Sequence, residues 1–317
     1  MTTVLISGSV AVDTLLASPF PFSLDAQQIA SQRLAVSYYM PEMRQVWGGC
    51  AANIAYSLKQ LGGHPVIMAT VGDDAGDYLA RFKQLGIGTD FIQTLTGQFT
   101  AKAVIMSDSL GQQITGFHPG AMNDAHVQSA AAALAQFKPH WAIVSPDGKQ
   151  AMLNRCAELA AAGVKFIADP GQAMPILGKD DLNTMMTGAS VMAVNEHEAS
   201  MLEATLGTTV AHLSHTLPVL VTLGDQGLAL WKNGTAQRIA GVVGVRAVDP
   251  TGCGDSLRGA WLHALTLGWS MLDALRLGNL MGAHTVQHQG AQGYSVTMAD
   301  LQRLWAQHYP TQAWPVQ

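Results

Sequence analysis

Between residues 124 and 205 the chain alternates in a pattern that few architectures can absorb. Helical spacing at 124–136 gives way to an apolar run at 141–145, and helix-like 149–162 to a strand-like 164–168. Helix-like 179–187 is followed by a strand at 190–194 and a helix at 196–205. Successive βα units bury their apolar faces by forming a parallel sheet covered by helices on both sides. The same grammar reaches outward. A β-branched strand is expected at 4–9, ending in Gly8-Ser9 with Asp13 at its exit. A helix runs from Cys50 to about residue 61, opened by Gly48-Gly49 and stopped by Gly62-Gly63. A strand at 66–71 and a helix at 76–85 follow. Strands at 217–222, 229–231 and 241–245 and long helices at 255–267 and 271–288 close the chain. The expected class is α/β with a doubly wound, mostly parallel sheet, as a single domain over residues 1–317.

Two segments break the alternation. Residues 18–47 carry Pro19, Pro21 and Pro41 and a strand candidate at 36–39, and residues 100–106 and 113–117 read as a hairpin around 108–111. Together they suggest a small β lid, with segments at about 14–46 and 97–118. Asn233-Gly234-Thr235 fits a glycosylation sequon, but the Asn-Gly pair reads more naturally as a tight turn.

Composition narrows the function. With 17 Lys and Arg against 22 Asp and Glu, a net charge of -5 and only 12% charged residues, no basic face for nucleic acid or an anionic membrane is expected, and a small-molecule partner fits better. The first residues lack a cationic region before their apolar stretch, and no run reaches the length of a spanning helix, so a cytoplasmic location is expected. Cys50, Cys156 and Cys253 are far apart and odd in number, which suits a reducing compartment. His197, His212 and His215 make no zinc pattern. Without GxxxxGK[ST] there is no Walker-type phosphate loop, and no GxGxxG follows the first strand, which argues against a dinucleotide-binding dehydrogenase.

The chemistry concentrates in Asp249-Pro250-Thr251-Gly252-Cys253-Gly254-Asp255, a glycine-rich turn that feeds an apolar helix. Backbone N–H groups at a helix N-terminus, reinforced by the macrodipole, form an anion hole suited to phosphoryl oxygens. A carboxylate there repels phosphate but can take a proton from an attacking hydroxyl, which makes Asp255 the candidate base. The plain alternative is an N-capping aspartate. Asn195 and Glu198 are spaced as a capping box and also as oxygen donors toward Mg²⁺.

This turn resembles the D-T-x-G-A-G-D signature of the ribokinase-like, or phosphofructokinase-B, sugar and nucleoside kinases. Gly48-Gly49-Cys50-Ala51-Ala52-Asn53 resembles their second signature, Asn195-Glu196-His197-Glu198 their N-x-x-E, and Val221 to Gly227 their nucleotide segment. The resemblance implies transfer of the γ-phosphoryl of ATP, with Mg²⁺, to an acceptor hydroxyl. It assigns Asp255 as base and Gly252, Cys253 and Gly254 as the anion hole, and Asp13, Gly48, Gly49 and Asn53 as ligands of a vicinal diol. Asn195, Thr222, Gly224, Gly227 and Asn279 fall to the ATP site and Asn195 and Glu198 to Mg²⁺, directly or through water; Asp249 and Thr251 are candidates for a K⁺ site. Pro250 replaces a frequent Thr of the signature and Cys253 the usual Ala, the latter read as packing.

Within the family, residues 113–122, Ser145 to Gly148, Asp169 to Gln172 and the Cys form of the turn resemble bacterial adenosine and broad-specificity nucleoside kinases. That implies phosphorylation of a ribose 5′-hydroxyl, with adenosine the leading acceptor and inosine and guanosine alongside it. Phe117 and Met122 would shape an apolar slot for the base, and Gln172 a polar contact. The alternatives are a kinase of free ribose or fructose and a non-catalytic nucleoside-binding protein. A homodimer formed through the lid is left open.

Overall fold

The structure is a computed structural model that describes residues 2–22 and 36–315. Nine strands form one sheet in the order β13-β12-β11-β10-β9-β8-β1-β4-β5. They are β1 (Thr3–Ser7), β4 (His64–Val71), β5 (Ile92–Thr94), β8 (Trp141–Val144), β9 (Lys165–Ala168), β10 (Val191–Asn195), β11 (Val219–Thr222), β12 (Gly227–Lys232) and β13 (Thr235–Ala240). Every pairing from β11 to β5 is parallel, and only the β11-β12 and β12-β13 pairs are antiparallel. In β1, Val4 and Ile6 are buried in one apolar cluster and Leu5 in another, so the strand is covered on both faces. Uninterrupted apolar strands are what a parallel sheet under two helical layers requires.

Helices Cys50–Gln60, Gly76–Gln84, Cys253–Thr266, Met271–Thr285 and Met298–His308 contribute to the first cluster. Ala131–Phe137, Lys149–Ala161, Lys179–Met186, Glu196–Leu206 and Val210–Leu213 contribute to the second. Consecutive βα units therefore leave their connections at the carboxyl ends of the parallel strands, where Ser9, Ser145, Asp169, Asn195 and Thr222 lie. Open α/β sheets place their ligands at that edge.

A second sheet, β3-β2-β6-β7, is built from β2 (Ala11–Ala17), β3 (Glu42–Gly48), β6 (Lys102–Ser107) and β7 (Gln113–His118). Its register aligns Val46, Asp13, Ala103 and Phe117 in one row, with Arg44, Leu15, Ile105 and Thr115 two residues along on the same face.

Several sequence expectations are corrected. Residues 36–39 form no strand; the strand of that excursion is β3, beyond Pro41, and residues 23–35 lie outside the described residues. Asp13 lies inside β2 and not in a strand exit. The expected helix 124–136 is a 3-10 segment, Gly120–Val127, and a separate helix from Ala131. Glu158 separates the two, accepting from Ser129 Oγ at 2.7 Å and from Ala130 N at 3.0 Å. Residues 241–245 are not a strand: β13 stops at Ala240, and at Gly241 the chain passes so close to the Asp225 carbonyl that a Cβ would sit 1.7 Å from its oxygen. Asn233 (φ +50°) and Gly234 (φ +78°) join β12 to β13, the left-handed pair that a two-residue hairpin turn demands.

Helices Cys50–Gln60 and Cys253–Thr266 pack at close range. A Cβ on Gly259 would lie 2.6 Å from the Ile54 carbonyl oxygen and from Ser57 Cβ, and Ser57 Oγ donates to the Ser256 carbonyl at 2.8 Å. Gly259→Val is expected to force the helices apart and destabilise the fold by about 1–3 kcal/mol, as overpacking does. Urea unfolding with an unchanged midpoint would refute this contact.

Candidate active site

Close packing of the two helices brings the two glycine motifs together. Gly49 caps helix Cys50–Gln60 at φ +92°, and a Cβ there would sit 2.6 Å from both Ala11 N and the Ser9 carbonyl oxygen; only glycine accommodates that conformation and approach. Gly48 presses against Asp13 in the same way, with a Cβ falling 2.6 Å from Asp13 Oδ2. Asn53, one turn into the helix and buried, donates from Nδ2 to Asp255 Oδ2 at 2.9 Å. Asp13, Gly48, Gly49, Asn53 and Asp255 thus converge from β2, the end of β3 and the two helices.

The turn before Asp255 is a type II β-turn over residues 250–253. Cys253 N donates to the Pro250 carbonyl at 3.2 Å, and Gly252 takes φ +77° and ψ 1° at the third position, where this turn needs glycine. The expected anion hole is corrected accordingly: the Cys253 amide is spent closing the turn. Among the described residues, the N–H groups of Gly252, Gly254 and Asp255 have no partner within the chain. They lie at the positive end of a 14-residue helix. Asp255 does not cap this helix; Gly252 is its N-cap.

Burial pushes the Asp255 carboxyl up to about 6. The Asn53 hydrogen bond, the Arg258 charge and the Cys50 thiol oppose the rise, and the Asp169 carboxylate adds to it. Arg258 carries no sequence signal, and Asp169 enters the sequence reading only as part of the Asp169 to Gln172 segment. Both are buried: Arg258 Nη2 donates to Asp169 Oδ1 at 3.1 Å, Nε meets Asp169 Oδ2, and Nη1 holds the Gly254 carbonyl at 3.1 Å. This bidentate pair pins the glycine turn to the tip of β9. Asp13 is also raised by burial, against a hydrogen bond from Ala103 N at 3.4 Å.

The remaining candidates divide. Gln172 reaches Cys50 Sγ at 3.4 Å at the start of helix Cys50–Gln60, beside the site. Phe117 shares the Asp13 face of the small sheet and is exposed, while Met122 is half-buried in the 3-10 segment that follows. Asn195 and Glu198 form a reciprocal capping box, Asn195 Oδ1 accepting from Glu198 N and Glu198 Oε2 from Asn195 N, each at 2.8 Å. Thr222 ends β11, and Gly224 (φ +60°) and Gly227 (φ +94°) shape the turn into β12. Asn279 is buried, with Nδ2 donating to the Ala240 carbonyl and to Tyr309 Oη, both at 2.8 Å. Burial opposes ionisation of Asp249, yet hydrogen bonds from Thr251 and Gly290 and the positive charge of Arg44 hold it below the usual carboxylate range. Arg44, another residue the sequence did not flag, therefore joins the small sheet's Asp13 face electrostatically to the glycine turn.

A half-buried carboxylate thus stands beside free helix-terminal amides and a cluster of polar side chains, and the chain is a phosphotransferase whose acceptor is an alcohol. The chain belongs to the pfkB family of carbohydrate kinases, whose model matches residues 20–298. Its doubly wound sheet with a small second sheet is the ribokinase-like fold. The solved nucleoside kinase of Burkholderia thailandensis, in complex with inosine, superimposes with a TM-score of 0.85 at 36% identity, covering 97% of this chain and 98% of that one. The nucleoside kinase of Methanothermobacter thermautotrophicus is 27% identical over 255 residues, 79% of this chain and 81% of the relative. The ribokinase of Haemophilus influenzae is 25% identical over 305 residues, 92% and 94% of the two chains. Among the described residues no helix is long and apolar enough to cross a membrane.

Two consequences can be measured. An aspartate titrates near 3.9 unfolded and Asp255 near 6 folded, so the folded state holds this proton to higher pH. Stability from this group is greatest in acid and falls as pH rises through 6. Asp255→Asn removes that fall and is expected to be more stable than the parent above pH 7 by about 2 kcal/mol, the gap closing near pH 4; a pH-independent difference in urea unfolding would refute it. Arg258→Met strands the buried Asp169 charge and is expected to lose about 3–5 kcal/mol, much of it recovered by adding Asp169→Leu. Calorimetry on the single and double variants decides.

Proposed function

We propose that the chain phosphorylates the 5′-hydroxyl of a nucleoside from ATP, with purine nucleosides, adenosine or inosine, as preferred acceptors. The observation that carries this reading is the 2.9 Å hydrogen bond between Asn53 and Asp255. It joins a hydroxyl-binding cluster to a carboxylate at a helix N-terminus. The nucleoside in place of a free sugar is supported by the 36% identity to the Burkholderia enzyme, solved with inosine and also in complex with ADP-inosine.

In the proposed mechanism, Asp13 and Asn53 hold the ribose diol, and the glycines at 48 and 49 let the sugar meet the backbone. Phe117 and Met122 flank the base and Gln172 offers it a polar contact. Thr222, Gly224 and Gly227 wall the ATP site, where Asn279 has its Oδ1 to offer, both amide hydrogens being engaged. Asp255, whose pKa of about 6 leaves it ionised yet basic at neutral pH, takes the O5′ proton, while the Gly252, Gly254 and Asp255 amides receive the charge of the transferring phosphoryl. The small sheet acts as a lid over the acceptor. Mg²⁺ fits the Glu198 side at second hand: with Oε2 committed to Asn195 N, Oε1 would hold metal-bound water, and the ion would neutralise the phosphate chain. Asp249 Oδ1 and Oδ2 each accept one hydrogen bond, from Thr251 N and Gly290 N, and each keeps a lone pair with which Asp249, beside Thr251, would hold a K⁺ ion next to the turn.

Phosphate transfer from Mg·ATP to adenosine, inosine, guanosine, cytidine, ribose and fructose tests the reading. Purine nucleosides are expected to be best. Asp255→Asn is expected to lower turnover roughly 10²- to 10⁴-fold with ATP binding retained, and Asp13→Ala to raise mainly the acceptor KM. Activity on free sugars alone would overturn the acceptor, and near-normal turnover of Asp255→Asn would overturn the base.

A further inference from the structure

Asn53 can help Asp255 only in one orientation of its amide, with the NH2 toward the carboxylate and the carbonyl away. The opposite rotamer would set an oxygen against a carboxylate. The residue that meets the outward carbonyl is Gln292, in the loop between helices Met271–Thr285 and Met298–His308. Its Nε2 donates to Asn53 Oδ1 at 3.0 Å and to Tyr78 Oη at 2.6 Å. Tyr78 Oη in turn donates to the Gly48 carbonyl at 2.8 Å. Gln292 and Tyr78 are buried, at 7% and 1% exposure, so water does not readily substitute for these partners. Donor logic fixes the direction: Tyr78 has one hydrogen and gives it to Gly48, so the amide group facing Tyr78 and Asn53 Oδ1 is the Gln292 NH2.

We propose that Gln292 is a positioning residue for phosphoryl transfer: it locks the Asn53 amide toward Asp255 and, through Tyr78, ties that orientation to the Gly48 carbonyl beside Asp13. One side chain, 239 positions from Asn53, thereby couples the acceptor clamp to the base. The inference rests on Asp255 being the base. The other groups facing Asp255 are Cys50 from helix Cys50–Gln60, Asp169 from the tip of β9, and Arg258 from its own helix, with Tyr78, Cys253 and Tyr294 sensing its charge. None of them touches the Asn53 carbonyl.

The test is a double-mutant cycle on kcat/KM for inosine. Gln292→Met, which keeps the volume and removes the donor, is expected to lose about 10-fold in the parent background and nothing further in Asn53→Ala, because its effect runs through Asn53. Equal losses in both backgrounds would overturn the proposal. If Gln292→Met does not fold, Gln292→Glu carries the same cycle. Its carboxylate draws the Asn53 NH2 away from Asp255, so the acidic limb of the kcat/KM profile is expected to move up by about one pH unit in the parent and to stay put in Asn53→Ala. A shift that persists in Asn53→Ala would be a direct charge effect and would overturn the role. Asp255→Asn, run in parallel, separates the two ideas: if it remains active, the assignment of the base fails; if it is dead while the cycle shows no coupling, only Gln292 fails.

Discussion

The site depends on how closely helix Cys50–Gln60 approaches helix Cys253–Thr266. Gly259, with no side chain to spend, lets the Ile54 carbonyl and Ser57 sit against the second helix. Ser57 fastens them through the Ser256 carbonyl. Only at that spacing does Asn53 reach Asp255, 202 positions away, at 2.9 Å. Everything polar in the site hangs from this contact: Gly48, Gly49 and Asp13 on one side, the glycine turn and the Arg258–Asp169 pair on the other. Because the contact is between helices anchored in one apolar cluster, the rigidity of the core is passed directly to Asn53 and Asp255.

Electrostatically the site balances two demands of the proposed reaction. Transfer of a phosphoryl group calls for positive potential, which the free amides at the start of a 14-residue helix provide. Proton abstraction calls for a carboxylate that is ionised and still basic. Burial lifts Asp255 to about 6, and Arg258 keeps it from rising further while Asp169 works the other way. The bidentate Arg258–Asp169 pair therefore has two effects, mechanical on the Gly254 carbonyl and electrostatic on the Asp255 carboxyl. The Asp13 row of the small sheet closes the arrangement, and Arg44, two residues along β3 from Val46, brings its charge toward Asp249.

What the sequence disclosed was local. The glycine pairs, the Gly-rich turn and the βα rhythm each signal through neighbours a few residues apart, and the large sheet and its principal helices lie close to where that rhythm puts them. The failures occur where a distant partner overrides local pattern. Glu158 holds Ser129 and Ala130 where an Ala-rich helix is expected to run through, and β13 ends where Gly241 passes against the Asp225 carbonyl. The last helix, Met298–His308, has a local signal of its own: Thr297 and Asp300 make a capping box ahead of buried Leu301 and Trp305. In the site, Arg258, Tyr78 and Gln292 carry no motif, since their partners lie 89, 30 and 239 positions away. A linear motif also does not reveal that the turn over residues 250–253 consumes the Cys253 amide.

The most direct test is to see where the phosphorus goes and whether Asp255 sends it there. Incubation of the protein with Mg·ATP and inosine, followed by proton-coupled phosphorus NMR of the product, identifies the acceptor oxygen. The account expects a monoester split into a triplet by the two 5′ hydrogens, with no such product from Asp255→Asn over the same interval. A doublet, from a 2′ or 3′ ester, or an equal yield from Asp255→Asn, would contradict it.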